Sequence, residues 1–587
     1  MNLSGKQSWL PTTAKEMKIL GWDQADIILF TGDAYVDHPS FGAAVIGRYL
    51  EHAGYKVAIV PQPNWQDDLR DFKKLGQPRL FFGITAGAMD SMVNHYTAAK
   101  RLRSDDSYTP GGKAGQRPDY PTQVYTEILK KIFPDVPVVL GGIEASLRRF
   151  THYDFWQDKL QPSILCTSGA DILVYGMGEK SIVEIANRLS DGKSVAGLND
   201  IPQTAYLTKY SPEHIPKVEL PSHETCMKSK QKFADSYKQF EEETNKGKPA
   251  TIVQKYEEKY IVANPPWPVP PPEVVDGFYD LPFTRLPHPR YDKKPPIPAY
   301  EMIKFSVNMH RGCFGGCSFC AISANQGKLV ASRSKESILQ EVKKIAEHPD
   351  FRGHVTDLGG PSANMYRMAG IDKKLCDTCK RPSCIYPSVC NNLDTSHQPL
   401  NEIYADAKKI NGIKKITIGS GVRYDLLLQS YNKKAGKAEE KYTENLIRNH
   451  ISGRLKVAPE HTEDTTLKIM RKPSFSFFRE FKEKFKQINA RYHLNQQIIP
   501  YFISAHPGTA LADMKTLYKK TRSEGFRLEQ VQLFTPTPMT LSSVIYYSGI
   551  DPFTGKKVAV EKSKEGRKNQ HEAFFNGDPK HKTQRGR

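Results

Sequence analysis

The sequence predicts an α/β protein in two parts: a doubly wound parallel α/β domain, then an incomplete (β/α) barrel with a cysteine-rich insertion and a disordered basic tail. Three observations predict it. Strand-length apolar runs alternate with helical periodicity over residues 20–190 and again over 302–538, as parallel sheets with crossover helices require. Twelve prolines between Pro265 and Pro298 separate the two series. Seven of the nine cysteines fall between Cys313 and Cys390, inside the second series. With 587 residues, more than one domain is expected. The expected boundaries are 1–195 for the N-terminal α/β domain, 196–299 for a polar helix and Pro-rich connector, 300–550 for the barrel with its insertion at 371–392, and 551–587 for the tail.

In the first series, DIILFTG (26–32), YKVAIVPQP, RLFFGITAG, PVVLGGIEAS (137–146) and ADILVYGMGE (170–179) read as buried strands. FGAAVIGRYLEHAG is a helix closed by Gly54, and KSIVEIANRL is another. Ligands on such sheets sit beyond the carboxyl ends of the strands, where Gly87, Gly141, Gly142, Gly176 and Gly178 fall. Residues 195–260 turn polar, with SKQKFADSYKQFEEETNKGK expected as a solvated helix. The proline run forbids continuous helix or sheet, and Trp267, Phe278, Tyr279 and Phe283 mark it as a strap along a domain surface. The second series offers MIKFSVNMH (302–310), HVTDLGG (354–360), KKITIGSG (414–421), RLKVAPEH (454–461), QQIIPYFIS (496–504) and EQVQLFTPTP (529–538) as six strands, with helices between them.

Lys and Arg number 84 against 64 Asp and Glu, a net charge of +20. That excess allows contact with phosphates, but ten basic against four acidic side chains lie in residues 556–587, and no nucleic-acid module is recognisable. The first twenty residues hold no apolar signal core and no stretch reaches about 18 apolar residues, so a cytoplasmic protein without membrane contact is expected.

In such a compartment clustered cysteines are metal ligands rather than disulfides. Cys313, Cys317 and Cys320, in MHRGCFGGCSFCAI, form C-x3-C-x2-C directly after the first barrel strand. Three thiolates hold three corners of an iron–sulfur cube and leave the fourth iron open to a small molecule. Gly312, Gly315 and Gly316 let the backbone wrap closely. A three-thiolate zinc site awaiting a remote histidine is the competing reading, with His310 near but the spacing uncommon for zinc.

The loop resembles the signature of the radical S-adenosylmethionine (radical SAM) enzymes, C-x3-C-x-aromatic-C, with Phe319 as the aromatic. The resemblance implies a partial (β/α)6 barrel, a 4Fe-4S cluster whose open iron chelates S-adenosyl-L-methionine (SAM), and reductive cleavage to methionine and a 5′-deoxyadenosyl radical with catalytic activity on a substrate. The electrons would come from a donor such as flavodoxin or ferredoxin. It also implies cofactor contacts at Phe319 near the adenine, at Gly359 and Gly360 in D-L-G-G-P, and at Ser420, Arg423 and Glu460 where the third and fourth strands end. Pro361 stands where the family has an acidic residue, which leaves only the backbone contact there. No catalytic residue beyond the cluster ligands is assigned. Together with the segment GSGVRYD (419–425) and the cysteine insertion, the chain resembles the YgiQ family of radical SAM proteins, whose substrate is not settled.

Cys376, Cys379, Cys384 and Cys390 form C-x2-C-x4-C-x5-C, a set that suits zinc or a second iron–sulfur cluster. The cluster is favoured, in a loop expected to fold around its own metal, independently of the first. The N-terminal domain is similar to the cobalamin-binding domains that precede some radical SAM barrels. D-x-H-x-x-G is absent, though, since in Asp37-His38-Pro39-Ser40-Phe41-Gly42 the histidine is one residue misplaced. Phe150, His152, Tyr153, Asp154 and Trp156, with Arg148 and Arg149, could face a planar substrate or pack between domains. The leading reading is a radical SAM enzyme of unassigned substrate. The alternatives are a zinc-containing nucleic-acid-binding protein without catalysis and a cobalamin-dependent radical SAM methyltransferase.

Overall fold

The computed structural model of the chain describes residues 9–526 and 531–575. Two compact units emerge: one from residues up to 228 together with 248–304, the other from 229–247 together with the chain from 305 onward.

In the first unit β1 (Ile27–Thr31), β2 (Val57–Pro61), β3 (Phe81–Thr85), β4 (Val138–Leu140) and β5 (Ile172–Val174) run parallel in the order β2-β1-β3-β4-β5. Every residue of β1 and β2 is buried, the mark of a parallel sheet covered on both faces. Register pairs Ile27 with both Val57 and Phe81. The sheet then continues beyond the expectation from sequence. β6 (Thr204–Thr208), β7 (Lys217–Leu220), β8 (Thr251–Tyr256) and β9 (Lys259–Ala263) extend it in the order β6-β9-β8-β7, mostly antiparallel. TIVQKY and KYIVA close a hairpin that pairs Tyr256 with Lys259. Their polar content made 195–260 read as solvated surface.

The expected connector at 196–299 is therefore no separate region. Its proline segment is a strap on the first unit: Leu281, Phe283, Tyr291, Ile297 and Tyr300 join the core built on Ile27, Leu29, Val57 and Ile59. The Thr284 amide donates to the Asp37 carboxylate at 2.8 Å, Trp267 Nε1 donates to Ser181 Oγ at 3.0 Å, and Phe278 meets Tyr49 edge-on.

The second unit holds all six expected barrel strands. Ser306–Asn308 pairs in parallel with Asp357–Gly359, and His354–Val355 with Lys415–Ile416. Arg454–Glu460, Gln497–Ser504 and Gln532–Leu533 follow in parallel order, with a bulge between Val457 and Glu460; residues 529 and 530 of the sixth expected strand lie outside the described residues. Helices Lys335–Ala346, Gln398–Ala407, Lys437–Asn449, Phe475–Arg491 and Leu511–Ser523 alternate with them.

Two expectations are corrected here. The helix Lys230–Thr244 is not a solvated appendage but part of this unit. It buries Phe233 and Phe240, sets Phe233 edge-on to Tyr547, and gives Glu241 to Arg471 in a bidentate pair at 2.7 and 2.8 Å. The chain after 550 is ordered through residue 575, with a helix at Lys564–Ala573. Arg567 Nη2 donates to the Phe534 carbonyl at 2.6 Å and Gln570 Nε2 to that of Thr509 at 2.9 Å. Long polar side chains that satisfy buried carbonyls look like a disordered tail in sequence. Residues 576–587 of the expected tail lie outside the described residues. Among the described residues, no helix is long and apolar enough to cross a membrane.

Candidate functional site

The three-cysteine loop leaves the first barrel strand at His310-Arg311 and returns at Ala331-Ser332, which pair antiparallel. Its base is thus pinched shut. Gly312 and Gly316 have φ of +86° and +62°, a region that disfavours any side chain. A Cβ at Gly316 would overlap the Pro382 carbonyl, and one at Gly312 the Leu329 carbonyl. The Gly315 amide points at Cys313 Sγ, 3.4 Å away.

The three thiols are half-buried. Burial, then the neighbouring Cys317 and Cys313, pushes Cys320 up to about 12; burial also raises Cys313. Thiols that resist ionising beside one another need a cation to become thiolates, and a bound metal supplies that charge. The donor set fits an iron–sulfur cluster. A cube places each thiolate on its own iron, whereas a mononuclear site closes its donors on one point.

Arg423 lies against this loop. Its Nη1 is 3.8 Å from Cys317 Sγ, and Asp425 holds the other edge of the guanidinium, Nε to Oδ1 at 3.0 Å with a second bond from Nη2 to Oδ2. Asn364 clamps the backbone on both sides, accepting from the Arg423 amide at 2.8 Å and donating to its carbonyl at 3.0 Å. Glu460 ends the fourth strand in a left-handed conformation, φ +68°, a backbone that costs a non-glycine residue roughly 1–3 kcal/mol. Burial pushes its carboxyl up, against the pull of Lys472 and Arg423. Lys472 Nζ stands 3.9 Å from it. Phe319 packs edge-on to His506 at 6.1 Å. The His506 ring meets Ser542 Oγ at 2.7 Å, and Ser542 donates on to Ser318 Oγ at 2.8 Å.

Gly359 and Gly360 end the second strand. The Gly359 carbonyl accepts from the Met309 amide at 2.7 Å, and Gly360 presses on the His310 ring with no room for a Cβ. Ser420 donates its hydroxyl to Asp357, which also accepts from the Gly419 amide at 2.9 Å. The cysteines, Arg423 and Glu460 thus share one neighbourhood, and Ser420 is turned to Asp357. Asp357, Asp425, Lys472 and His506 were missed in sequence. Asp357 was legible as the acidic residue of D-L-G-G-P, two positions before the glycines rather than after them.

The second cysteine set packs against this loop, not apart from it as expected. The Cys384 amide and Ser383 Oγ both donate to the Phe314 carbonyl, at 3.0 and 3.1 Å. Cys313, Cys384 and Cys390 pack on one small core of Phe314, Met365, Met368, Ile385, Leu393 and Leu426. Burial pushes Cys384 up to about 11, with Lys328 pulling the other way.

In the first unit, Arg117 fills the crevice where the strand order reverses between β1 and β3. Its guanidinium bonds the Ala86 carbonyl and Asp33 at 2.8 Å each and Asp106 at 2.9 Å, all three side chains buried. His38 is buried too, and its Nδ1 accepts from the Ser40 amide at 3.1 Å. Phe150, His152, Tyr153 and Asp154 are buried, Arg148 pairs with Asp90, and Arg149 lies over Tyr175.

Residues 9–306 match the family described as Radical SAM N-terminal. A protein of Bacteroides thetaiotaomicron described as "UPF0313 protein" is 58% identical over 97% of this chain and 94% of its own length. One of Methanocella arvoryzae with the same description is 46% identical over 95% and 91%. The solved structure of the radical S-adenosylmethionine methyltransferase TsrM from Kitasatospora setae, with cobalamin and a [4Fe-4S] cluster bound, matches with a TM-score of 0.50 at 14% identity, over 95% of this chain and 92% of that one; this is a likeness of fold. The resemblance read from Cys313, Cys317, Phe319 and Cys320 and the match over the N-terminal half agree, and the chain belongs to the Radical SAM N-terminal family, within the radical SAM superfamily.

Proposed function

We propose that this chain is an enzyme that binds a 4Fe-4S cluster through Cys313, Cys317 and Cys320 and cleaves SAM reductively to open a radical reaction on a substrate not yet identified. When bound, the cluster and SAM supply the one-electron chemistry. The chain's own residues hold and orient. Arg423, fixed by Asp425 and Asn364, lays positive charge against Cys317 and offsets the thiolates. Glu460 and Lys472 stand too far apart to satisfy one another fully, so an amino-acid ligand can engage the carboxylate with its ammonium and the lysine with its carboxylate. Gly359 and Gly360 let Ser420 and the His310 ring close on the second strand end, and Phe319, backed by His506, offers an aromatic edge for a purine. Asp357 holds Ser420 in position.

The observation that carries this reading is the pinched three-thiol loop with a half-buried, doubly clamped arginine against its middle sulfur. Anaerobic reconstitution with iron and sulfide, reduction, and assay of 5′-deoxyadenosine test it. Cys317→Ala should abolish release; deoxyadenosine formed at the wild-type rate by that variant would refute the assignment.

Cobalamin is the less favoured cofactor for the first unit. Open α/β sheets bind ligands where strand order reverses, and here Arg117, Asp33 and Asp106 already fill that crevice with a buried ion triad. The histidine of D-H-P-S-F-G is one residue out of the ligand position, and its Nδ1 accepts from the Ser40 amide. No step is assigned to cobalamin. Protein purified after growth with cobalamin should lack its visible absorption; stoichiometric retention would reverse this reading.

A further inference from the structure

The insertion between the second and third barrel strands is a closed loop with its own base. Gly370 bridges Leu393, the Ile371 amide donates to the Asn392 carbonyl at 2.7 Å, and the Asp394 amide donates to that of Ala369 at 2.9 Å. Inside it the Cys379 amide bonds the Cys376 carbonyl at 3.2 Å and the Cys390 amide that of Cys384 at 2.7 Å. Asn392 Nδ2 donates to Cys376 Sγ at 3.5 Å. Apart from this base and the small core that takes Ile385 and Leu393, the loop between the cysteines is polar, and a metal would add to what holds it.

A second observation points inward. Lys328, on the return limb of the first loop, is only 5% exposed. Its ammonium donates to the Arg381 carbonyl at 2.9 Å and reaches Cys379 Sγ at 3.9 Å, and among the described residues no carboxylate pairs with it. A buried ammonium without an anion is costly. Four thiolates around iron carry the net negative charge it lacks.

We propose that Cys376, Cys379, Cys384 and Cys390 ligate a second four-iron cluster, with Lys328 as its buried counter-charge, seated directly against the loop of the first. The proposal does not rest on SAM chemistry at Cys313, Cys317 and Cys320. The test is the full-length chain with those three cysteines replaced by alanine, reconstituted anaerobically with iron and sulfide, then assayed for iron, sulfide and zinc. The expected result is about four iron and four sulfide per folded chain, as one cubane demands. Absence of iron in that folded variant, or one zinc in its place, would overturn the proposal. Should the triple variant fail to fold, the wild type decides: about eight iron supports the proposal, and about four overturns it. Deoxyadenosine release by the wild type scores the first site separately.

Discussion

Buried arginines here are held by carboxylates residue by residue. Arg117 sits between Asp33 and Asp106, Arg423 against Asp425, and Arg333 against Glu341 and Ser337. Removing one member of such a set strands the others in a dry interior, a loss of about 3–5 kcal/mol. Arg117→Ala should therefore lower the urea midpoint of the first unit by that equivalent; an unchanged midpoint would show that water reaches the crevice. Arg423→Gln tests a different property. With a positive charge removed beside Cys317, reduction of a cluster there adds negative charge less readily, so its midpoint potential in a redox titration should fall. These partners are hard to see in sequence. Arg117 is separated from Asp33 by 84 positions, and Lys328 from Cys379 by 51.

Elements were far more legible than side-chain partners. The strands of both series follow continuous apolar runs, and the three-cysteine loop sits where the first strand ends, because spacing and periodicity are local properties. What escaped were elements defined by remote packing: the added strands β6 to β9, the helix Lys230–Thr244 with its two buried phenylalanines, and the ordered helix after 550. Each has too little apolar content to announce itself, since its polar groups are satisfied by neighbours distant in sequence. The attachment of the cysteine insertion to the first loop was equally hidden, being carried by the Phe314 carbonyl. Gly316→Ala tests that junction. A methyl at φ +62° overlapping the Pro382 carbonyl should force the two loops apart and reduce iron uptake at both, with far-ultraviolet circular dichroism unchanged. Normal iron content in this variant would show the loops to be independent.

At the scale of the whole molecule the chain visits its two units alternately. It builds most of the first, donates residues 229–247 to the second, returns to finish the first with β8, β9 and the proline strap, and only then enters the barrel. Truncation after residue 550 should expose the Phe534 carbonyl and Tyr546, which Arg567 satisfies, and make the second unit susceptible to limited proteolysis at protease levels that spare the full chain.

The early surrender of residues 229–247 has a consequence for synthesis. The helix bearing Phe233 and Phe240 leaves the ribosome some three hundred residues ahead of the segment around Tyr547 that covers it. A nascent chain halted near residue 304 thus carries a finished sheet and an uncovered greasy helix. Such a chain is a natural client for a holding chaperone until translation supplies the missing cover.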